Sequence, residues 1–159
     1  ISSDFGEAFF KAQEATQTRL PLEGRVLISV NDKDKPEVVD LARDFAEEGF
    51  KIIASRHTCK LLQEAGIEAQ MINKLQEGRP NMLDLITNGE VDLIINTPIG
   101  RERQWDDSYL RKTAIKKKVP YMTTIAAAKA TISGIKAMKR YGGSEVRSLQ
   151  ELHSLIKDK

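Results

Sequence analysis

The sequence predicts an α/β fold, a three-layer sandwich in which a five-stranded parallel sheet lies between helices. Two observations predict this fold. Short runs of apolar and β-branched residues alternate along the chain with segments of helical periodicity, which is typical of consecutive βαβ units. The short runs are also apolar at successive positions, as in "LII" at 93–95, and this indicates strands that helices cover on both faces.

The elements follow in a regular order. Strands are predicted over 25–30, 50–55, 67–72, 91–96 and 119–124. A helix is predicted from Pro36 to Gly49, because proline suits a first helical turn and glycine a helix stop. Further helices are predicted over 58–66, 82–89, 108–118, 126–140 and 148–156, with a loop over 73–81.

The first residues of the chain form a separate segment. A serine and aspartate cap signal precedes Phe5, Ala8, Phe9 and Ala12 at helical spacing, and "RLPLEG" follows as a link. We therefore divide the chain into a helix and linker over 1–23 and one α/β domain over 24–159.

Composition narrows the possible classes of protein. The 159 residues carry a net charge of only +2 and no basic aromatic stripe, which argues against nucleic acid as a partner. A single cysteine, Cys59, excludes an internal disulfide and suits a reducing compartment. The longest apolar runs are too short to cross a bilayer. The chain starts without a signal-peptide pattern and without Met, so we expect a cytoplasmic fragment of a longer protein with no membrane contact.

Polar side chains gather where the predicted strands end. Ligands of parallel α/β sheets bind outside the carboxyl ends of the strands. Five successive strand ends deliver polar groups to that edge: Lys35, then Ser55 and Thr58, then Lys74, then Asn96 and Thr97, then Thr123 and Thr124.

The gathered groups suit a phosphorylated small molecule. An ammonium beside a helix start favours an anion, and hydroxyls add directed hydrogen bonds. Taken alone, Lys35 is more simply a solvated lysine, and Ser55 or Thr58 is equally a helix cap. Their convergence on one edge predicts a small-molecule pocket. The chain lacks GxGxxG, GxxxxGK[ST] and GxSxG motifs, and two histidines with one cysteine make no zinc site.

These motifs resemble the methylglyoxal-synthase-like domain family, and within it the carboxyl-terminal allosteric domain of carbamoyl-phosphate synthase large chains. The resemblance covers nearly the whole chain, from "FGEAFFKAQ" through "ISVNDKDK", "GFKIIAS", "NKLQEGRPN" and "DLIINTPIGR" to "YMTTIAAA". The pair "NK…EGRP" and "IINT" is specific, whereas either motif alone would be weak.

The resemblance implies a regulatory site for a nucleoside monophosphate, with UMP as inhibitor and in some members IMP as activator. Phosphate-side residues would be Lys35, Ser55, Thr58 and Lys74, and Asn96 and Thr97 would lie nearer the sugar. Thr123 matches a threonine that helps to bind the activator ornithine. The chain departs from the family pattern at Ser55, His57, Pro98 and Met122, and this leaves the preferred effector open.

The resemblance also describes the parent protein. The parent would be an ATP-dependent ligase that uses Mg or Mn and K and makes carbamoyl phosphate from glutamine-derived ammonia, bicarbonate and ATP, for pyrimidine biosynthesis, arginine biosynthesis or both. Its partners for this domain would be the rest of the large chain and the small glutaminase subunit. The domain itself would hold no cofactor, metal or catalytic residue. The alternative is an enzyme, a phosphate-eliminating lyase like methylglyoxal synthase, for which Asp32, Asp34, Asp106 and Asp107 are the available carboxylates. Their context favours solvated loop and helix-cap roles.

Overall fold

The sheet has the predicted architecture. The computed structural model describes residues 2, 4–16, 19–97, 104–142 and 148–154. Five parallel strands form one sheet in the spatial order β3-β2-β1-β4-β5. The strands are β1 (Arg25–Ser29), β2 (Lys51–Ser55), β3 (Ala69–Ile72), β4 (Leu93–Asn96) and β5 (Tyr121–Met122).

Seven helices are found among the described residues. They are α1 (Phe5–Glu14), α2 (Lys35–Glu47), α3 (Arg56–Glu64), α4 (Met82–Thr87), α5 (Gln104–Lys116), α6 (Ile125–Tyr141) and α7 (Leu149–Ser154). Short 3₁₀ turns at Asp32–Asp34 and Leu75–Glu77 follow β1 and β3. Among these described helices, none is long and apolar enough to cross a membrane.

An apolar core lies on each face of the sheet, between the sheet and the helices that cover it. Successive side chains along a strand point into opposite cores. Val26 and Ile28 of β1 point to the face covered by α2, α3 and α6, whereas Leu27 points to the face covered by α4 and α5. Ile95 and Ile94 of β4 divide in the same way. Because both faces are covered, successive strand positions are apolar, and this is the pattern from which the fold was predicted.

Some predicted boundaries were wrong by one to four residues. The helix expected from Pro36 begins at Lys35, and the helix expected from residue 58 begins at Arg56, since Ser55 already has the extended backbone of an N-cap. The fifth strand, expected over 119–124, is only Tyr121–Met122. It ends early because Thr124 caps α6, with its hydroxyl 3.1 Å from the Ala127 nitrogen. Of the predicted last helix, residues 155 and 156 lie outside the described part of the chain.

Helix α1 packs closely along α6. A methyl group on Gly6 would lie 2.6 Å from the Ser133 carbonyl oxygen, so only glycine permits this approach. Phe10 is buried in the core beside α6, whereas Phe5 is exposed. The segment that the sequence set apart therefore shares the core of the α/β domain. Its role as a connection to a preceding domain stays a prediction.

Candidate functional site

The candidate site lies at the carboxyl edge of the sheet, between β1 and β4. The chain runs from β1 to β2 and β3 on one side and from β4 to β5 on the other, so the strand order reverses between β1 and β4. This switch point is where parallel α/β sheets bind ligands. Ser29 and Asn96 are register partners there, and both side chains are buried.

Thr97 joins the two central strand ends. Its backbone nitrogen donates to the Ser29 carbonyl over 3.0 Å, and its Oγ1 accepts from the Asn31 nitrogen over 2.9 Å. Asn31 in turn accepts from the nitrogens of Lys33 and Asp34 through its side-chain oxygen and so holds the 3₁₀ turn before α2. The predicted site residue Thr97 thus fixes the loop that carries Lys35.

Asn96 ends β4 with its side-chain amide in a hydrogen-bond network. Its Nδ2 donates to Asp107 Oδ1 over 2.9 Å and to the Tyr121 hydroxyl over 2.7 Å. Asp107 lies in the first turn of α5 and Tyr121 lies on β5. Asn96 therefore links three elements at the ligand edge.

Asp107, which the sequence analysis named only as a carboxylate for the alternative lyase, lies against the end of β4. It was interpreted as a solvated or helix-cap residue, but α5 brings its carboxylate against the end of β4. Its Oδ2 is buried and is the only such side-chain atom without a hydrogen-bond partner in the described part of the chain. An unpartnered buried carboxylate oxygen costs free energy unless a ligand or solvent donor completes it. In the sequence, Asp106 and Asp107 are only an acidic pair ten and eleven residues after Asn96. Their closeness to Asn96 cannot be inferred without knowing how α5 packs on the sheet.

A small cavity connects the two sides of the predicted site. It has a volume of about 30 Å³, enough for one water molecule. Its polar lining comes from Ser29, Lys74, Asn96, Asp106 and Asp107, and Leu75, Met82 and Leu110 form the apolar part. Lys74 and Asn96, predicted from separate strand ends, therefore meet at one cavity.

Ser55 and Thr58 occupy the start of α3 after β2. Both side chains are buried, and the Ser55 hydroxyl donates to Thr58 Oγ1 over 3.2 Å. Ser55 has the backbone conformation of an N-cap, yet its side chain makes no capping hydrogen bond. Ser55 is therefore the N-cap residue of α3, as the helix-cap alternative expected, but it caps the helix without a side-chain hydrogen bond.

Lys35 is held by a neighbouring carboxylate. Its Nζ lies 2.6 Å from Asp32 Oδ1, and a third of its side chain is exposed. Lys35 lies inside the first turn of α2, not before the helix as predicted, because the 3₁₀ turn leads directly into α2. An anion that binds Lys35 has to share it with Asp32.

Side chains from three strand ends act on the pKa of Asp32. The pKa of Asp32 is lowered chiefly by the hydrogen bond and charge of Lys35, and His57 and Lys74 act in the same direction. These residues follow β1, β2 and β3 respectively, so the loops after three neighbouring strands bring their side chains toward Asp32.

Lys74 lies in a hydrogen-bonded turn after β3. Its backbone nitrogen donates to Glu77 Oε2 over 2.9 Å. The buried Asn81 caps α4 by accepting from Leu83 and Asp84, and its amide donates to the Gly78 carbonyl. The "NKLQEGRPN" loop therefore holds the lysine beside the cavity through its own hydrogen bonds.

Thr123 is exposed between β5 and the N-cap of α6. The small cavity is lined by two of the predicted site residues, Lys74 and Asn96; those outside its lining are Lys35, Ser55, Thr58, Thr97 and Thr123. The departure position Pro98 lies outside the described residues. Within the described residues no group of three or more His, Cys, Asp or Glu side chains could hold a metal ion.

A larger cavity lies at the opposite edge of the sheet. It has a volume of about 850 Å³ and is lined by residues near the amino ends of β1, β2 and β3, including Arg25, Lys51 and Ala69. The basic side chains in its lining are accompanied by the carboxylates of Glu47, Glu68 and Glu90, so the lining carries both signs of charge and does not favour an anion. The switch point and the convergent cations favour the carboxyl edge despite its smaller cavity.

The fold and its carboxyl-edge site define a class of α/β domain, and comparison with known families identifies it. The model of the MGS-like domain family matches residues 37–123, which is more than half of the chain. The chain therefore belongs to the MGS-like domain family.

Curated relatives place the domain within longer proteins. The chain is 47% identical over 154 residues to the carbamoyl phosphate synthase large chain, C-terminal section, of Methanopyrus kandleri, and the match covers 96% of this chain and 28% of the relative. The corresponding section from Aquifex aeolicus is 42% identical, with 98% and 30% covered. The carbamoyl phosphate synthase large chain of a Nostoc species is 44% identical, with 95% and 14% covered. The chain thus spans less than a third of the length of these relatives.

A solved structure shares the fold. The crystal structure of a methylglyoxal synthase from Elizabethkingia anophelis superposes with a TM-score of 0.59 at 20% identity and covers 72% of this chain and 80% of its own. This likeness confirms the architecture of a five-stranded parallel sheet between helices.

Proposed function

We propose that this chain is the allosteric regulatory domain of a carbamoyl-phosphate synthase large chain and binds a nucleoside monophosphate at the carboxyl edge of its sheet. UMP would act as inhibitor, and IMP is the alternative effector. The observation that carries the proposal is the convergence of Lys35, Lys74 and the Ser55–Thr58 hydroxyl pair on the edge where β4 presents Asn96. Relatives named as the C-terminal section of a carbamoyl phosphate synthase large chain support the assignment.

The phosphate would lie over the ends of β1, β2 and β3. The two lysines supply charge there, and the first turn of α3 supplies backbone N–H groups that Ser55 does not cap. A charge-assisted hydrogen bond is about twice as strong as a neutral one, so this end would fix the ligand. The cavity of about 30 Å³ is too small for a nucleotide, which would therefore lie outside it, along the carboxyl edge of the sheet.

The nucleoside would extend toward β4. Asp107 contributes a carboxylate with a buried, unpartnered oxygen, and Asn96 hydrogen-bonds to the same group. These groups would repel a phosphate and accept from hydroxyls. Lys35 and Lys74 on the β3–β1 side and the Asp107 carboxylate beside β4 would match a molecule with a phosphate at one end and hydroxyls beyond it.

The remaining predictions concern the parent protein. Residues 1–23 would connect this domain to the preceding synthetase half, and 24–159 would form the regulatory domain. Ornithine would bind on the Thr123 side, against the rest of the large chain, which also contacts a small glutaminase subunit. The parent would act in the cytoplasm in pyrimidine or arginine biosynthesis, as an ATP-dependent ligase with Mg or Mn and K. This chain alone would carry no catalysis.

Calorimetric titration of the chain with UMP and with uridine tests the binding proposal. We expect one saturable site for UMP, and binding of uridine weaker by about 100-fold or more, because the phosphate would carry two or more charge-assisted contacts worth roughly 1.5–3 kcal/mol each. IMP and ornithine, titrated separately, rank the effectors. Equal affinity for UMP and uridine would contradict a phosphate site.

A phosphate-eliminating lyase is the second candidate function, and Asp107 is the observation that favours it. Such an enzyme needs a carboxylate base close to a bound phosphate, and Asp107 lines the same cavity as Lys74. Incubation of the chain with dihydroxyacetone phosphate and an assay for methylglyoxal distinguishes the two. Production that disappears in Asp107→Asn would establish the lyase, whereas the regulatory proposal predicts none.

A further inference from the structure

We propose that Tyr121 is a positioning residue that fixes the side-chain amide of Asn96 and so determines which ligand group Asn96 can bind. The inference rests on the proposed nucleotide site, in which Asn96 contacts the nucleoside. It extends that site to Tyr121 of β5, a residue that the sequence analysis did not single out.

The geometry fixes which way round the amide lies. A carboxylate can only accept hydrogen bonds, so the atom of Asn96 that faces Asp107 Oδ1 at 2.9 Å has to be the nitrogen. The Tyr121 hydroxyl accepts from the same nitrogen at 2.7 Å. An amide nitrogen has two hydrogens, and these two acceptors use both.

Asn96 can therefore bind only a ligand group that donates a hydrogen bond. With both N–H groups taken, Oδ1 is what Asn96 can offer a ligand, and the described residues form no hydrogen bond to it. A carbonyl oxygen accepts from a hydroxyl and cannot bind a fully ionised phosphate. Because Tyr121 and Asp107 occupy both N–H groups, Asn96 accepts a hydrogen bond from a ligand hydroxyl and does not donate one to a phosphate.

Tyr121 is well placed for this role. It is half-buried on β5, opposite Ile94 of β4, so its phenol reaches Asn96 from the neighbouring strand. Burial raises the pKa of the Tyr121 phenol, although the Asn96 hydrogen bond lowers it, so the hydroxyl stays neutral at physiological pH. Asp107 accepts one N–H group and decides which way round the amide lies, and the phenol accepts the second N–H group, so that Oδ1 is left to face a ligand.

The test compares Tyr121→Phe with Tyr109→Phe. The control removes a phenol hydroxyl from an exposed tyrosine on α5. In Tyr121→Phe we expect UMP affinity to fall by about 3- to 10-fold, the worth of one neutral hydrogen bond, while the affinity for inorganic phosphate stays within twofold of wild type. The control should bind both probes as wild type does.

The side-chain amide of Asn96 gives a second readout that needs no ligand. By nuclear magnetic resonance, both Nδ2 protons should be protected from exchange in the wild-type chain, and one should lose protection in Tyr121→Phe. Rapid exchange of both protons in the wild type, unchanged UMP affinity in the variant, or equal losses for UMP and inorganic phosphate would each overturn the proposal. If wild-type chain binds no UMP but both protons are protected, the nucleotide function fails and the positioning contact stands.

Discussion

Replacement of both Lys35 and Lys74 by alanine is expected to weaken UMP binding by about 100-fold or more. Each lysine would form a charge-assisted contact with phosphate, and such a contact is worth roughly 1.5–3 kcal/mol. Every 1.4 kcal/mol corresponds to about tenfold in affinity. Loss of Lys35 also leaves Asp32 without its ion-pair partner, and the freed carboxylate would repel the phosphate.

The matched control is the double variant Lys112→Ala with Lys116→Ala. Both lysines are exposed on α5, and their removal lowers the net charge by the same amount. The control should bind UMP within about twofold of wild type, because exposed charges at a distance are screened by salt. Calorimetric titration measures both variants, and thermal unfolding checks that they remain folded. If the two double variants lose equal affinity, Lys35 and Lys74 act only through net charge and form no phosphate site.

Asn96→Asp is expected to destabilise the fold by about 2–4 kcal/mol at pH 7. The new carboxyl would stand where the amide donates to Asp107, which leaves two carboxylates at hydrogen-bond distance. Two such groups cannot both ionise cheaply, so the apparent pKa of the pair rises in the folded state. A rise of two units corresponds to about 2.7 kcal/mol.

The pH dependence identifies this mechanism. When the pKa of a carboxyl is higher in the folded chain than in the unfolded chain, the unfolded chain gives up the carboxyl proton at lower pH. The penalty is therefore small below about pH 4 and grows as the pH rises through the unfolded pKa toward the folded one. Urea unfolding at pH 4 and pH 7 measures the loss of stability. The control is Gln70→Glu, which makes the same change from amide to acid at an exposed position of β3. Equal stability of Asn96→Asp and wild type at both pH values would show that Asn96 does not contact Asp107.

The fold could be predicted because each strand and each helix leaves its own pattern in a short stretch of sequence, and these patterns repeat along the chain. Each strand is covered on both faces, so each appears in the sequence as an apolar run, and the runs alternate with amphipathic helices. Exact ends could not be read in this way. The extended backbone of Ser55 and the cap made by Thr124 decide where α3 and α6 begin, and both depend on geometry that the apolar pattern does not encode.

The candidate site was predictable only where its residues follow strands. Lys74 and Asn96 were placed at one edge by topology alone, and the cavity brings them together. Asp107 was interpreted as a solvated or cap residue and Tyr121 was not singled out, because their positions depend on how α5 packs on the sheet and which strand neighbours β4. The ion pair of Lys35 with Asp32 was missed for a related reason, since a 3₁₀ turn in place of a loose loop sets their spacing.

A crystal structure of the chain with bound UMP tests the central claim most directly, because it distinguishes the two edges of the sheet. The account predicts the phosphate within hydrogen-bond distance of Lys74 and of the Ser55–Thr58 turn, with a ribose hydroxyl donating to Asn96 Oδ1. UMP bound in the cavity of about 850 Å³ at the amino ends of the strands, or a phosphate that contacts neither Lys35 nor Lys74, would contradict it.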